Sequence, residues 1–117
     1  MTVVYEMQLA EGLKPAATLG IVRIRYRRVD TGAVEEIEAP IAAEAVQRDF
    51  VRARPQFRLA CAVAEFATAL KHVPPAAQAN ALQPVVAEAV RVAVELDFYT
   101  PAKSFAETVK RLMGIGL

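Results

Sequence analysis

Residues 2 to 10, TVVYEMQLA, place Val3, Tyr5, Met7 and Leu9 on one side and Val4, Glu6 and Gln8 on the other. A period of two predicts a half-buried strand over 2–10. Gly12 and Pro15 mark 11–19 as a loop. Alternation resumes over 20–29, with Val22, Ile24 and Tyr26 set against Arg23, Arg25 and Arg27. Asp30-Thr31-Gly32 is a turn signal, and AVEEIEAPI returns as a third strand over 33–40.

The charges suggest a register for this hairpin. If Val29 faces Val34, then Arg27 faces Glu36, Arg25 faces Glu38, Tyr26 faces Ile37 and Ile24 faces Ala39. Opposite charges then share one face and apolar groups the other, each such pair contributing roughly 0.2–1 kcal/mol. A slip of one residue would set Tyr26 against Glu36 and mix the faces. Asp-Thr-Gly also suits a type I turn with a bulge at Gly32. The register that satisfies both faces is the expectation, with Tyr26 and Ile37 as neighbours on the buried side.

From residue 42 the period changes. Val46 and Phe50 stand four apart and predict a short helix over 43–53, which Pro55 ends. FRLACAVAEFATALK follows, interrupted only by Arg58, Glu65, Thr68 and Lys71. It predicts a helix over 56–72 with a stripe of Leu59, Val63, Phe66 and Leu70, widened by Phe57, Cys61 and Ala64. Arg58, Glu65 and His72, seven apart, form a narrow polar line opposite. The segment therefore reads as the central core helix, covered by the Tyr26 face of the hairpin and by the later helices. Truncating Phe66 in such a core would cost about 3–5 kcal/mol. VPPAAQAN breaks the pattern. Pro84 suits a first turn, giving a helix over 83–97 with Val85, Ala89, Val92 and Leu96 buried. Thr100 reads as an N-cap with Pro101 behind it, opening a last helix over 101–113. That helix presents Phe105, Val109 and Leu112, and Gly114 ends it.

Composition narrows the function classes. The chain has 117 residues, a net charge of +1 and 55% apolar residues. That length supports one domain with a real core, and the apolar share excludes disorder. A near-neutral balance gives no electrostatic reason to expect nucleic acid or an anionic membrane as partner. The longest unbroken apolar run of the long segment, Leu59 to Ala64, is far short of the ~20 residues of a membrane span. Met1 leads directly into an alternating pattern, without the basic and apolar regions of a signal peptide. The one cysteine, Cys61, reports nothing about redox compartment.

Candidate chemistry is sparse. His72, the one histidine, reads as a solvent-facing residue favoured by the dipole at a helix end. Cys61 lies eleven residues away and reads as a small hydrophobe with nothing nearby to lower its pKa. Arg23, Arg25, Arg27 and Arg28 are the nearest thing to a phosphate-binding patch. Glu35, Glu36 and Glu38 on the facing strand cancel that charge. Glu65 reads as leaving the apolar helix along the polar line with Arg58. Metal-ligand spacings and phosphate-cradling glycine loops are absent from the sequence.

Three ordered motifs resemble a known family. TVVYEMQL is similar to a strand of the form T-A-L-Y-E-I, and IVRIRYR to the next, V-K-I-R-Y-K. FRLACAVAEFATALK resembles a stretch of the form F-R-F-A-A-A-V-A-E-F-G-x-L-L-R. Together they cover residues 2 to 71. They identify the chain as resembling the C-terminal domain of unknown function that follows the von Willebrand factor type A domain in a family of bacterial proteins. HVPPAAQANALQP stands where that family has a short loop with tyrosine and glycine. Residues 84 to 113 fit only as a generic helical end. The D-x-S-x-S metal loop of a type A domain is absent from this sequence, so no metal-site residue carries over, and the family assigns this module no catalytic residues.

The resulting expectation is an α+β fold: a three-stranded antiparallel sheet on three or four helices, in one domain spanning 1–117. No catalytic, cofactor-binding or metal-ligating residue is assigned. The expected function is a non-enzymatic accessory module for protein interaction, associated with a type A domain. The alternative is a small enzyme or ligand-binding domain, which a deep pocket with convergent polar groups would favour. Expected partners are a protein or the parent type A domain, with a possible homodimer through a sheet edge. Neither nucleic acid nor membrane insertion is expected.

Overall fold

Proline sets the start of two of the three helices. Pro55 opens α1 (Pro55–His72) and Pro75 opens α2 (Pro75–Glu95), each in the first turn, where a missing N–H costs no hydrogen bond. Tyr99 precedes α3 (Thr100–Leu112), so Thr100 is the first helical residue rather than the cap, and its neighbour Pro101 again sits in the first turn. Gly114, at φ +66°, turns the chain beyond the last helix. The computed structural model describes residues 2–46 and 48–114. The chain forms two compact units: a hairpin unit, Glu6–Arg48, and a helical unit made of the first residues up to Tyr5 and everything from Asp49 onward. The class is α+β, as expected; among the described residues there are three α-helices and a two-stranded antiparallel sheet in place of the expected three strands.

In the helical unit α2 is the central helix, packing against α1 on one side and α3 on the other. Its buried face is the expected one: Val85, Ala89, Val92 and Leu96 are all buried, joined by Leu82. The helix begins eight residues earlier than expected because Pro75, not Pro84, is its opening proline. Pro84 is interior and leaves the Asn80 carbonyl without its helical donor. Alanines at 76, 77, 79 and 81 carry high helix propensity through that stretch, and Leu82 and Val85 bury on either side of it. Gln78 reinforces the corner by donating its side-chain N–H to the carbonyl of Val73, at 2.9 Å, just past the end of α1.

The long apolar helix is not the centre of the core. Its buried residues are Arg58, Ala62 and Ala69, while Phe57, Val63 and Leu70 are exposed. The expected stripe is split: Leu59 and Phe66 are half-buried against the core, Val63 and Leu70 are exposed, and of the polar line Arg58 is buried while Glu65 and His72 are exposed. The physical reason is helix approach: alanines let α1 lie close to α2, whereas a face of Leu, Val and Phe would hold the axes apart. The same holds for α3, where Ala102, Ala106 and Val109 are buried and Leu112 is exposed. Phe66 is half-buried, not fully so, and meets Phe105 of α3 edge-to-face with centroids 5.6 Å apart. Its truncation therefore falls below the ~3–5 kcal/mol of a fully buried aromatic. In place of a helix over 43–53 there are two 3₁₀ turns, Ala43–Ala45 and Phe50–Arg52; Gln47 lies outside the described residues. Asp49 is extended and accepts the Val51 N–H on its side chain at 3.1 Å. That local bond starts a new turn where a continuous helix would need Asp49 to be helical.

The hairpin unit pairs β1 (Thr18–Arg27) with β2 (Val34–Ala42). The expected register is displaced by two residues. Tyr26 faces Glu35, Ile24 faces Ile37, Arg25 faces Glu36 and Arg23 faces Glu38. A shift of two keeps each side chain on its expected face, so arginines still lie beside glutamates. The loop decides the register. Arg28 and Ala33 close it, the Arg28 N–H donating to the Ala33 carbonyl at 2.8 Å. Gly32, at φ +69°, supplies the left-handed residue. Asp30 accepts the Thr31 N–H and Thr31 Oγ1 accepts the Ala33 N–H, so Val29 becomes a fully exposed loop residue. Exposed ion pairs contribute about 0–1 kcal/mol each, too little to override that turn. Tyr26, expected on a buried face, is exposed, as is Ile37.

The first predicted strand does not form. The sheet has two strands, and Val3, Tyr5, Met7 and Leu9 are exposed. Alternation assigns faces, but a strand exists only through its ladder. Thr2 and Val4 instead line a groove on α1 with Leu59, Ala60 and Val63.

These packing assignments predict opposite responses on the two helices. Leu82→Ala, at a buried α2 position, lowers unfolding free energy by about 2–5 kcal/mol. Val63→Ala, on the exposed side of α1, changes it by about 0.5 kcal/mol or less. Urea denaturation checks both, and the reverse ranking would restore α1 as the core helix.

Candidate functional site

The most unusual side chain in the helical unit is Arg58, 1% exposed. It sits in the first turn of α1, facing α2. Glu88 and Glu95 stand seven residues apart, two turns on one side of α2. The guanidinium takes both: its Nε lies 3.1 Å from Glu88 Oε1, and its Nη2 donates to Glu95. Nη1 donates to the Val51 carbonyl at 2.7 Å, which fastens the 3₁₀ turn to the helices. The Nε–Glu88 contact is misaligned for a hydrogen bond and acts as an ion pair. Arg91, one turn along α2, pairs with the other oxygen of Glu88. Two arginines meet two glutamates, so the cluster is neutral.

Such a cluster is suited to holding helices together. The Arg58 guanidinium is taken up by Val51, Glu88 and Glu95. Glu88 is wedged between two guanidinium groups and offers nothing to a substrate in this arrangement.

A shallow groove beside the cluster brings Cys61 and Glu65 of α1 near Pro84, Glu88 and Arg91 of α2. Burial raises the Cys61 thiol pKa, and the neighbouring Glu65 charge raises it further. The thiol therefore stays protonated at neutral pH, the opposite of an activated nucleophile. Glu65 is exposed, as expected from its place on the polar line, but Arg58 on the same line is buried. His72 is exposed at the end of α1, beside Lys71. Among the described residues, no group of three or more His, Cys, Asp or Glu side chains is placed to hold a metal ion.

Two of the hairpin arginines, Arg23 and Arg28, are paired with acids. Arg23 pairs with Glu38 at 2.5 Å, and Arg28 with Asp30 at 2.6 Å and Glu35 at 3.4 Å. Arg28 holds the Asp30 carboxyl below its usual range. The Tyr26 hydroxyl donates to Glu35 at 2.6 Å, a bond that raises its pKa. Arg27 donates to the Gly32 carbonyl at 3.0 Å. At the far end of α2, the Lys103 ammonium lowers the Asp97 pKa from 2.5 Å away.

Sequence reasoning missed the Arg58 cluster because the surrounding large apolar residues pointed to the other side of α1. One signal was present. Glu88 falls three residues after Val85 and four before Val92, beside the face correctly read as buried, and a carboxylate there demands a cation.

The architecture and its self-neutralised cluster define a small α+β module with a polar clamp inside its helical unit. The chain belongs to the family described as uncharacterized protein YfbK, C-terminal, whose profile matches residues 2–114. No curated protein and no solved structure matches it. Among the described residues, no helix is long and apolar enough to cross a membrane.

The raised thiol pKa predicts a sluggish cysteine. Alkylation by iodoacetamide at neutral pH should run more slowly for Cys61 in the folded chain than for free cysteine. A folded-state rate above that of free cysteine would show an activated thiol.

Proposed function

We propose that this chain is a non-enzymatic accessory module that binds protein, and that its partner is a von Willebrand factor type A domain. The observation that carries the reading is the outward face of α1. Phe57, Val63 and Leu70 are exposed along it, and Leu59, Ala60, Val63 and Ala67 line an apolar groove there with Gln56, Tyr99 and the N-terminal Thr2 and Val4. A helix that leaves Phe57, Val63 and Leu70 exposed on one side presents a surface suited to a partner. The choice of partner rests on the resemblance of residues 2 to 71 to the module that follows type A domains. Arg58 supports the reading indirectly: its buried ion cluster fixes α1 against α2 from behind and keeps the outer face in one geometry.

The test begins with the coding sequence upstream of Met1, which should specify a type A domain. That domain, produced separately, should bind this chain in calorimetry. Val63→Asp with Leu70→Asp should weaken binding by about tenfold or more, since charges placed in an apolar contact are desolvated without partners. Unchanged circular dichroism would show that the variant still folds. An upstream frame without such a domain, or a domain that gives no binding, would overturn the proposal.

A further inference from the structure

We infer that the free edge of β1 pairs with the β1 edge of a second copy across a two-fold axis, making one four-stranded sheet. This inference extends the reading of the chain as an interaction module and names a second partner for it. The two strands have one free edge each, and a lone two-stranded sheet is marginal in water. The edges are not equivalent. The Arg28–Ala33 bond and the pairing of Tyr26 with Glu35 and Ile24 with Ile37 fix which groups point where. The N–H and C=O groups of Ile21, Arg23 and Arg25 point outward from β1, and those of Glu36, Glu38 and Pro40 outward from β2. Pro40 has no N–H to give, and two-fold pairings of β2 centred on Ile37 or Glu38 oppose glutamates. Both features protect an edge from association.

β1 has neither obstacle. It contains no proline, and one self-register avoids opposed charges altogether. With Val22 on the axis, Val22 faces Val22 of the second copy, Ile21 faces Arg23, and Gly20 faces Ile24. The Arg23 side chains approach only diagonally, and each is held by Glu38 of its own chain at 2.5 Å. On the opposite face, Val22, Ile24, Ile37 and Ala39 share one side of the hairpin. Pairing would extend this exposed strip over four strands. The outer edges of that sheet would be the two proline-bearing β2 strands, so assembly stops at two copies.

Sedimentation equilibrium of the full chain across the micromolar range should show a reversible monomer–dimer equilibrium. Amide exchange at Ile21, Arg23 and Arg25 should slow as concentration rises. Ile21→Pro removes an outward donor and leaves the β1–β2 ladder intact. Val22→Lys sets like charges face to face on the axis. Each should weaken the dimer about tenfold or more, with the hairpin's circular dichroism unchanged; if one variant fails to fold, the other decides. A monomer at all concentrations, a dimer insensitive to the folded variants, or concentration-independent protection of the three amides would overturn the inference, the last placing the occupant of the edge within the chain. A monomer that still binds the type A domain would defeat this inference and leave the functional reading standing; a dimer that does not bind it would do the reverse.

Discussion

A single buried guanidinium sets the terms for the helical unit. Removing a charge from water costs several kcal/mol, and the cost is recovered only where the geometry supplies opposite charge and acceptors together. Arg58 meets that requirement with Glu88, Glu95 and the Val51 carbonyl. The consequence is positional. Glu88 and Glu95 fix the rotation of α2 about its axis, Val51 fixes the turn before α1, and the two helices can meet in only one way that keeps all three contacts. Apolar burial is non-directional and by itself selects no single rotation.

The rest of the unit is consistent with that constraint. Ala62 and Ala69 on α1 and Ala89 on α2 are buried and allow close approach of the backbones. Gln78 fastens the corner between the two helices. Val109 and Phe105 carry α3 into the same core. Leu59 and Phe66 join these internal contacts, while Phe57, Val63 and Leu70 of α1 remain outside, where they form the surface proposed to bind a partner.

How much of this was legible in the sequence depends on the kind of signal. Both hairpin strands and α1 followed from periodicity and turn residues to within about two residues. The buried face of α2 was readable because its valines and Leu96 repeat with helical spacing. Other features were not: neither the strand over 2–10 nor the helix over 43–53 forms, and three more differences have identifiable causes. The register of the hairpin turned on Asp30, Thr31 and Gly32, whose local hydrogen bonds outweighed the charge pairing that the strands advertise. Pro84 looked like a helix start because proline is usually excluded from helix interiors; the alanines around it made the exception possible. The buried side of α1 was hidden because Arg58 reads as polar, and a lone arginine gains a buried place only through carboxylates thirty and thirty-seven residues away, a pairing that no local pattern displays. His72 is exposed at a helix end, as its position suggested, and Cys61 is half-buried rather than fully so.

The most direct test of the account is a double-mutant cycle on the buried cluster, with Arg58→Met, Glu95→Gln and the pair measured by urea denaturation. The account predicts that Arg58→Met alone costs about 3–5 kcal/mol, because Glu88 and Glu95 lose their shared cation. It also predicts that the double variant recovers part of the loss, with a coupling energy of about 1 kcal/mol or more. Additive effects, or an Arg58→Met chain as stable as the parent, would contradict the claim that this guanidinium holds the helices in place.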